Sequence, residues 1–87
     1  MLHDTMDSEF LLKIGTLIAT KRRLLRIKEV DLAKTADISQ AALSNIENGN
    51  CPGPKLIIIN RLFHYLKISW SELPPPPIEL INYLFAA

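Results

Sequence analysis

EVDLAKTADISQAALSNIEN, residues 29–48, is the stretch that decides the fold. Its apolar positions are Leu32, Ala33, Ala36, Ile38, Leu43 and Ile46. The step from Ile38 to Leu43 does not fit one continuous helix, so the periodicity breaks at Asp37-Ile38-Ser39. Two short helices joined by a tight turn are therefore predicted. A small residue at Ala33 lets the second helix cross the first closely. A helix held in this way can be pushed into the major groove of DNA.

The second helix of the pair is predicted over 40–48, with Ser39 as its N-cap and Gly49 as its stop. Leu43 and Ile46 point inward. Gln40, Ala41, Ser44, Asn45 and Asn48 then share the opposite face. That face is uncharged, lightly built and rich in amides and hydroxyls, whereas an ordinary exposed helix face carries Glu and Lys. Gln and Asn present a donor beside an acceptor, which matches adenine N6 and N7, and an alanine can touch a thymine methyl.

Further out, Lys28 to Ala36 forms the preceding helix, and a first helix runs from about Glu9 to Leu25, capped by Asp7 or Ser8. Phe10, Ile14, Leu17 and Ile18 make its apolar stripe. On the other side, Asn50-Cys51-Pro52-Gly53 is a loop, and Pro54 starts a fourth helix that ends at Leu66. Leu56, Ile59, Leu62, Phe63 and Leu66 are its buried face, and Ser69 caps a last short helix, Trp70 to Leu73. The expected organisation is a flexible tail over 1–8, an all-α domain over 9–73, a stiff polyproline spacer over 74–77 and a C-terminal apolar segment over 78–87.

The 87 residues suit one domain, and an apolar content of 48% suffices for a small core. Domains of this size bury only ~60% of their unfolded-chain surface, which leaves room for stabilisation by a partner subunit. A single cysteine, Cys51, excludes an internal disulfide and fits a reducing, cytoplasmic setting. No apolar run reaches the length of a membrane span, and MLHDTMDSE lacks the basic start and apolar core of a signal peptide. The formal net charge is only +1, yet Lys21, Arg22, Arg23, Arg26 and Lys28 supply five of the ten basic residues. A local patch of this kind is what phosphates respond to. Cations at a solvated helix end, favoured by the helix dipole, have the same composition. With so small a net charge, non-specific DNA affinity is expected to be modest and its salt dependence shallow.

No catalytic constellation stands out. His3 and His64 have no metal-ligand spacing near them, Cys51 has no recognisable base, and the three glycines form no phosphate loop. No enzyme activity, cofactor or metal is expected.

The order and spacing of Ile14-Gly15, Ile18, Arg22, Leu32-Ala33, Ile38-Ser39, Leu43, Ser44, Ile46-Glu47, Gly49, Pro54 and Leu66 resemble the lambda-repressor-like, Cro-type helix-turn-helix domain, the XRE family. The resemblance runs from Ile14 to Leu73 and implies a five-helix domain, used as a dimer on palindromic double-stranded DNA. By position it makes Gln40, Ala41 and Asn45 base-contacting, and Ser44 completes that face. Ser39, Asn48, Asn50 and Lys55 match positions that touch phosphate or the groove edge. It also implies that Arg22 and Glu47 form a partly buried salt bridge, tying the first helix to the end of the third.

The sequence departs from the family pattern in three places. The first residue of the second helix is Glu29 instead of the frequent glutamine, so it repels a phosphate unless protonated or turned away, and Lys28 is expected to take that contact over. Asp37 and Arg26 stand where turn glycines are usual. Asp enters the left-handed region with some ease and Arg at a cost, so the turn after the first helix is expected to differ from the family's. The loop before Pro54 is one residue longer than the commonest form.

Ile57 and Ile58 occupy positions that are usually polar in the family. With Trp70, and with Ile81, Leu84 and Phe85 of the C-terminal segment, they are candidates for a dimer or partner surface. A short terminal helix is marginal alone and must dock on its own domain or on a second subunit. The reading is a sequence-specific regulator of transcription, a repressor, working as a homodimer. The alternatives are an antitoxin that binds both DNA and a toxin protein, a restriction–modification controller protein, and an adaptor that uses the fold without reading DNA.

Overall fold

The computed structural model describes residues 5–50 and 55–73. Four α-helices carry the fold: α1 (Thr5–Leu24), α2 (Glu29–Ala36), α3 (Gln40–Glu47) and α4 (Leu56–Leu66). A single 3-10 turn, Trp70–Glu72, follows. The described residues are all-helical, and the expected fifth α-helix is this three-residue turn. Ser69 Oγ accepts from the Ser71 N–H and Glu72 accepts from the Ser69 N–H at 2.9 Å, which starts the turn, while Leu73, the residue before Pro74, is extended (φ −106, ψ 153) and ends it. That backbone bond is the main reason the Glu72 carboxyl lies below its ordinary range, with Lys21, 3.5 Å away on α1, adding to it.

α1 begins at Thr5, not at Glu9. Aspartate and serine are tolerated in the first turns of a helix as well as at its cap, and an acid there is favoured by the dipole, so residue type alone does not fix the start. α4 begins at Leu56, and Lys55 is extended at φ −75 and ψ 138, so it precedes the helix instead of opening it. The loop over 51–54, the spacer over 74–77 and the segment over 78–87 lie outside the described residues.

α3 packs on α1 and α2, and α4 packs on the same two helices. Ile14, Ile18, Leu32, Leu43, Ile59 and Leu62 are the largest fully buried side chains, so every helix contributes to one core. Burying such a side chain stabilises by ~1.5–3 kcal/mol. Two small residues set the helix approaches. Ala33 is buried on α2. Gly15 lets the backbone of α1 touch the end of α3: a Cβ built there would overlap the Ile46 carbonyl oxygen and stand 2.7 Å from that of Glu47.

The four helices stop by one device. A residue in the left-handed region follows each: Arg26 (φ 58), Asp37 (φ 61), Gly49 (φ 71) and Lys67 (φ 57). The next N–H then reaches the carbonyl five residues back, Ile27 to Arg22, Ile38 to Ala33, Asn50 to Asn45 and Ile68 to Phe63, at 2.8–3.0 Å. This satisfies carbonyls that the helix end would leave without partners. In three cases the next residue is an isoleucine packed on the core. That burial offsets the steric cost of holding Arg26, Asp37 and Lys67 where glycine is easier. Arg26 therefore makes the turn that a glycine would make.

Candidate nucleic-acid interface

α3 is positioned from both ends. Ser39 is extended (φ −73, ψ 156), and its Oγ accepts from the Ala42 N–H at 3.0 Å. The hydroxyl proton of Ser39 remains available to a phosphate. Leu43 and Ile46 anchor the inner face. At the far end Arg22 grips Glu47: Nε donates to Oε2 at 2.7 Å and Nη2 donates to Oε1 at 3.1 Å. Arg22 Nη1 donates to the Ile27 carbonyl at 3.0 Å. The Glu47 side chain is only 4% exposed and that of Arg22 13%. The bond to Glu47 raises the Arg22 pKa above its ordinary value, against the desolvation that lowers it. A bidentate fork between a nearly buried pair fixes orientation as well as distance.

Gln40, Ala41 and Asn45 are exposed on the outer face of α3 and Ser44 is half-buried. The face carries no ionised group, so it presents a strip of short hydrogen-bonding side chains. Three of its members are already engaged. Asn48 Nδ2 donates to the Ser44 carbonyl at 2.9 Å and approaches Ser44 Oγ at 3.4 Å, which caps α3. Asn48 can keep the bond to the Ser44 carbonyl and offer its second N–H to a phosphate by leaving Ser44 Oγ. Gln40 Nε2 donates to Glu29 Oε1 at 3.4 Å across the turn. Glu29 thus faces Gln40. Nothing in residue spacing signals this contact except that the two residues open consecutive helices.

The basic run divides. Arg22 is bound to Glu47 and Lys21 to Glu72, while Arg23, Arg26 and Lys28 are exposed and form no ion pair among the described residues. Lys28 stands at the N-terminus of α2 and Lys55 at that of α4, both exposed and neither capped by a side chain. Asn50, also exposed, follows α3.

The apolar candidates divide as well. Ile57 is 56% exposed, whereas Ile58 packs against the core, one residue being enough to turn from one helix face to the other. Trp70 is tied down: its ring packs on Phe63 at 4.6 Å between centroids, and Nε1 donates to Asn60 Oδ1 at 3.0 Å. Ile81, Leu84 and Phe85 lie outside the described residues. Among the described residues no helix is long and apolar enough to cross a membrane, and no cluster of His, Cys, Asp or Glu could hold a metal ion.

Comparison of the chain with curated proteins and with solved structures gives no significant match. A family model, helix-turn-helix, matches residues 18–73, more than half of the chain and the whole of α2, α3 and α4. With Ser39 capping α3 and the turn at Asp37 behind it, the chain belongs to the Cro-type, lambda-repressor-like (XRE) helix-turn-helix family of DNA-binding transcriptional regulators.

Proposed function

We propose that the protein is a sequence-specific repressor that binds as a homodimer and sets α3 of each subunit in a major groove. The observation that carries this reading is the uncharged outer face of α3, where Gln40, Ala41, Ser44 and Asn45 can meet base edges without paying to desolvate an ion. In this reading Ser39, Asn50, Lys28 and Lys55 hold phosphates, and Asn48 adds its second N–H while still capping α3 through the Ser44 carbonyl. Occupancy of an operator is enough to repress, so this sign of regulation needs the fewest parts. Two subunits would engage half-sites one helical turn, ~34 Å, apart.

The outer face of α4, with Ile57 and Tyr65 both about half exposed at i and i+8, supports the second subunit. The same apolar face favours one other reading, an antitoxin that holds a toxin protein there. Sedimentation of the purified protein separates the two: a dimer of wild type that becomes a monomer in Ile57→Glu supports the homodimer, and a monomeric wild type refutes it.

Selection of bound sequences from random duplex DNA tests the reading head. Wild type enriches a two-part site. Gln40→Ala and Asn45→Ala each lose preference at one or two base pairs, worth ~1–3 kcal/mol. An unchanged motif in both variants refutes the assignment.

A further inference from the structure

We propose that Glu29 is a specificity-determining positioning residue: its carboxylate holds one N–H of Gln40 and so makes Gln40 a reader of adenine that disfavours guanine. This rests on α3 entering the major groove. The turn brings the first residues of α2 and α3 together, with Gln40 Nε2 at 3.4 Å from Glu29 Oε1. A carboxylate can only accept. The amide must therefore turn its nitrogen to Glu29, because its oxygen there would face a second oxygen without a proton between them.

One N–H of Gln40 is thereby taken. What remains for a ligand is the carbonyl oxygen and the second N–H. Adenine presents N7 as acceptor and N6 as donor, the complement of that pair. Guanine presents two acceptors, N7 and O6. To serve both, Gln40 would have to donate both hydrogens and abandon Glu29.

The carboxylate is kept on the protein side. Glu29 is half-buried and near enough to Arg22 to help raise that guanidinium's pKa. Three Arg22 N–H groups go to Glu47 and to the Ile27 carbonyl and none bonds Glu29, so the arginine acts on Glu29 through charge and leaves its carboxylate oxygen to Gln40. A glutamine at position 29 would not impose the same choice, since its amide can accept from Gln40 or donate to it.

The experiment measures affinity for the selected duplex with adenine or guanine at the base pair whose preference Gln40→Ala abolishes. Wild type, Glu29→Gln and Glu29→Ala are compared. Wild type favours adenine, and both Glu29 variants reduce the adenine-to-guanine ratio by roughly 3- to 10-fold, the worth of one hydrogen bond. Preferences at the Asn45 base pair stay unchanged. An unaltered ratio in Glu29→Gln, with Gln40→Ala still flattening the position, overturns this proposal and leaves the reading head intact. Guanine as the wild-type preference also overturns it. If Gln40→Ala flattens no base pair, the assignment of Gln40 as a base reader falls first and the role of Glu29 with it.

Discussion

Replacing Glu47, the buried charge at the end of α3, by alanine should destabilise the domain strongly. The Arg22 guanidinium makes three hydrogen bonds, at 2.7, 3.1 and 3.0 Å, and two of them end on Glu47. With the arginine side chain 13% exposed, water has little access to replace the lost acceptor. The variant therefore keeps a nearly buried cation with the Ile27 carbonyl as its hydrogen-bond partner and Glu29 as a charge partner without a direct bond. Breaking a buried pair from one side costs ~3–5 kcal/mol. At ~4–8 °C per kcal/mol for a domain of this size, the melting temperature should fall by about 12 °C or more. Helical circular dichroism during thermal and urea unfolding measures both quantities. Removing both charges separates the pair's own worth from the penalty of an orphaned ion. Arg22→Met with Glu47→Leu should recover most of the loss, since apolar replacements of a buried pair are often neutral or better. A Glu47→Ala protein within about 1 kcal/mol of wild type would refute the reasoning, because the pair would then be behaving like a solvated surface bridge.

Three further outcomes follow from named contacts. Gly15→Ala places a methyl group against the Ile46 and Glu47 carbonyls and should destabilise by ~1–3 kcal/mol in urea unfolding. Lys67→Gly relieves a left-handed lysine away from α3 and should raise the unfolding midpoint by the equivalent of roughly 1 kcal/mol with DNA affinity unchanged. Lys28→Ala and Lys55→Ala should each weaken binding to all duplexes alike and flatten the dependence of log affinity on log salt by about 1, measured by fluorescence anisotropy.

Local signals were the legible ones. The break at Asp37-Ile38-Ser39 and the Ser39 cap depend on residues within one turn of each other, and the structure has both. Ile57 and Ile58 look alike in sequence, and only the packing of α4 sends the second inward and leaves the first outside. The start of α1 is ambiguous in sequence because residues of the types at positions 7 and 8 suit a cap and a first turn alike. Periodicity could not pair Arg22 with Glu47, which lie 25 positions apart, so that expectation came from family resemblance alone. The contact of Glu29 with Gln40 was hidden for a related reason. It depends on the angle between α2 and α3, which the spacing of the two residues does not give. Asn48 shows the same limit at shorter range, since a polar residue on the reading face can direct its amide back to its own helix.

The central claim is that α3 touches base edges in the major groove. Replacing purines of the selected half-site one at a time by their 7-deaza forms removes N7 from that groove and leaves base pairing and the minor groove as they were. The account predicts one position where the 7-deaza purine lowers wild-type affinity by roughly tenfold and has little further effect on Gln40→Ala, since each bidentate contact is worth ~1–3 kcal/mol. Equal affinity of wild type for the natural duplex and every 7-deaza duplex would contradict it.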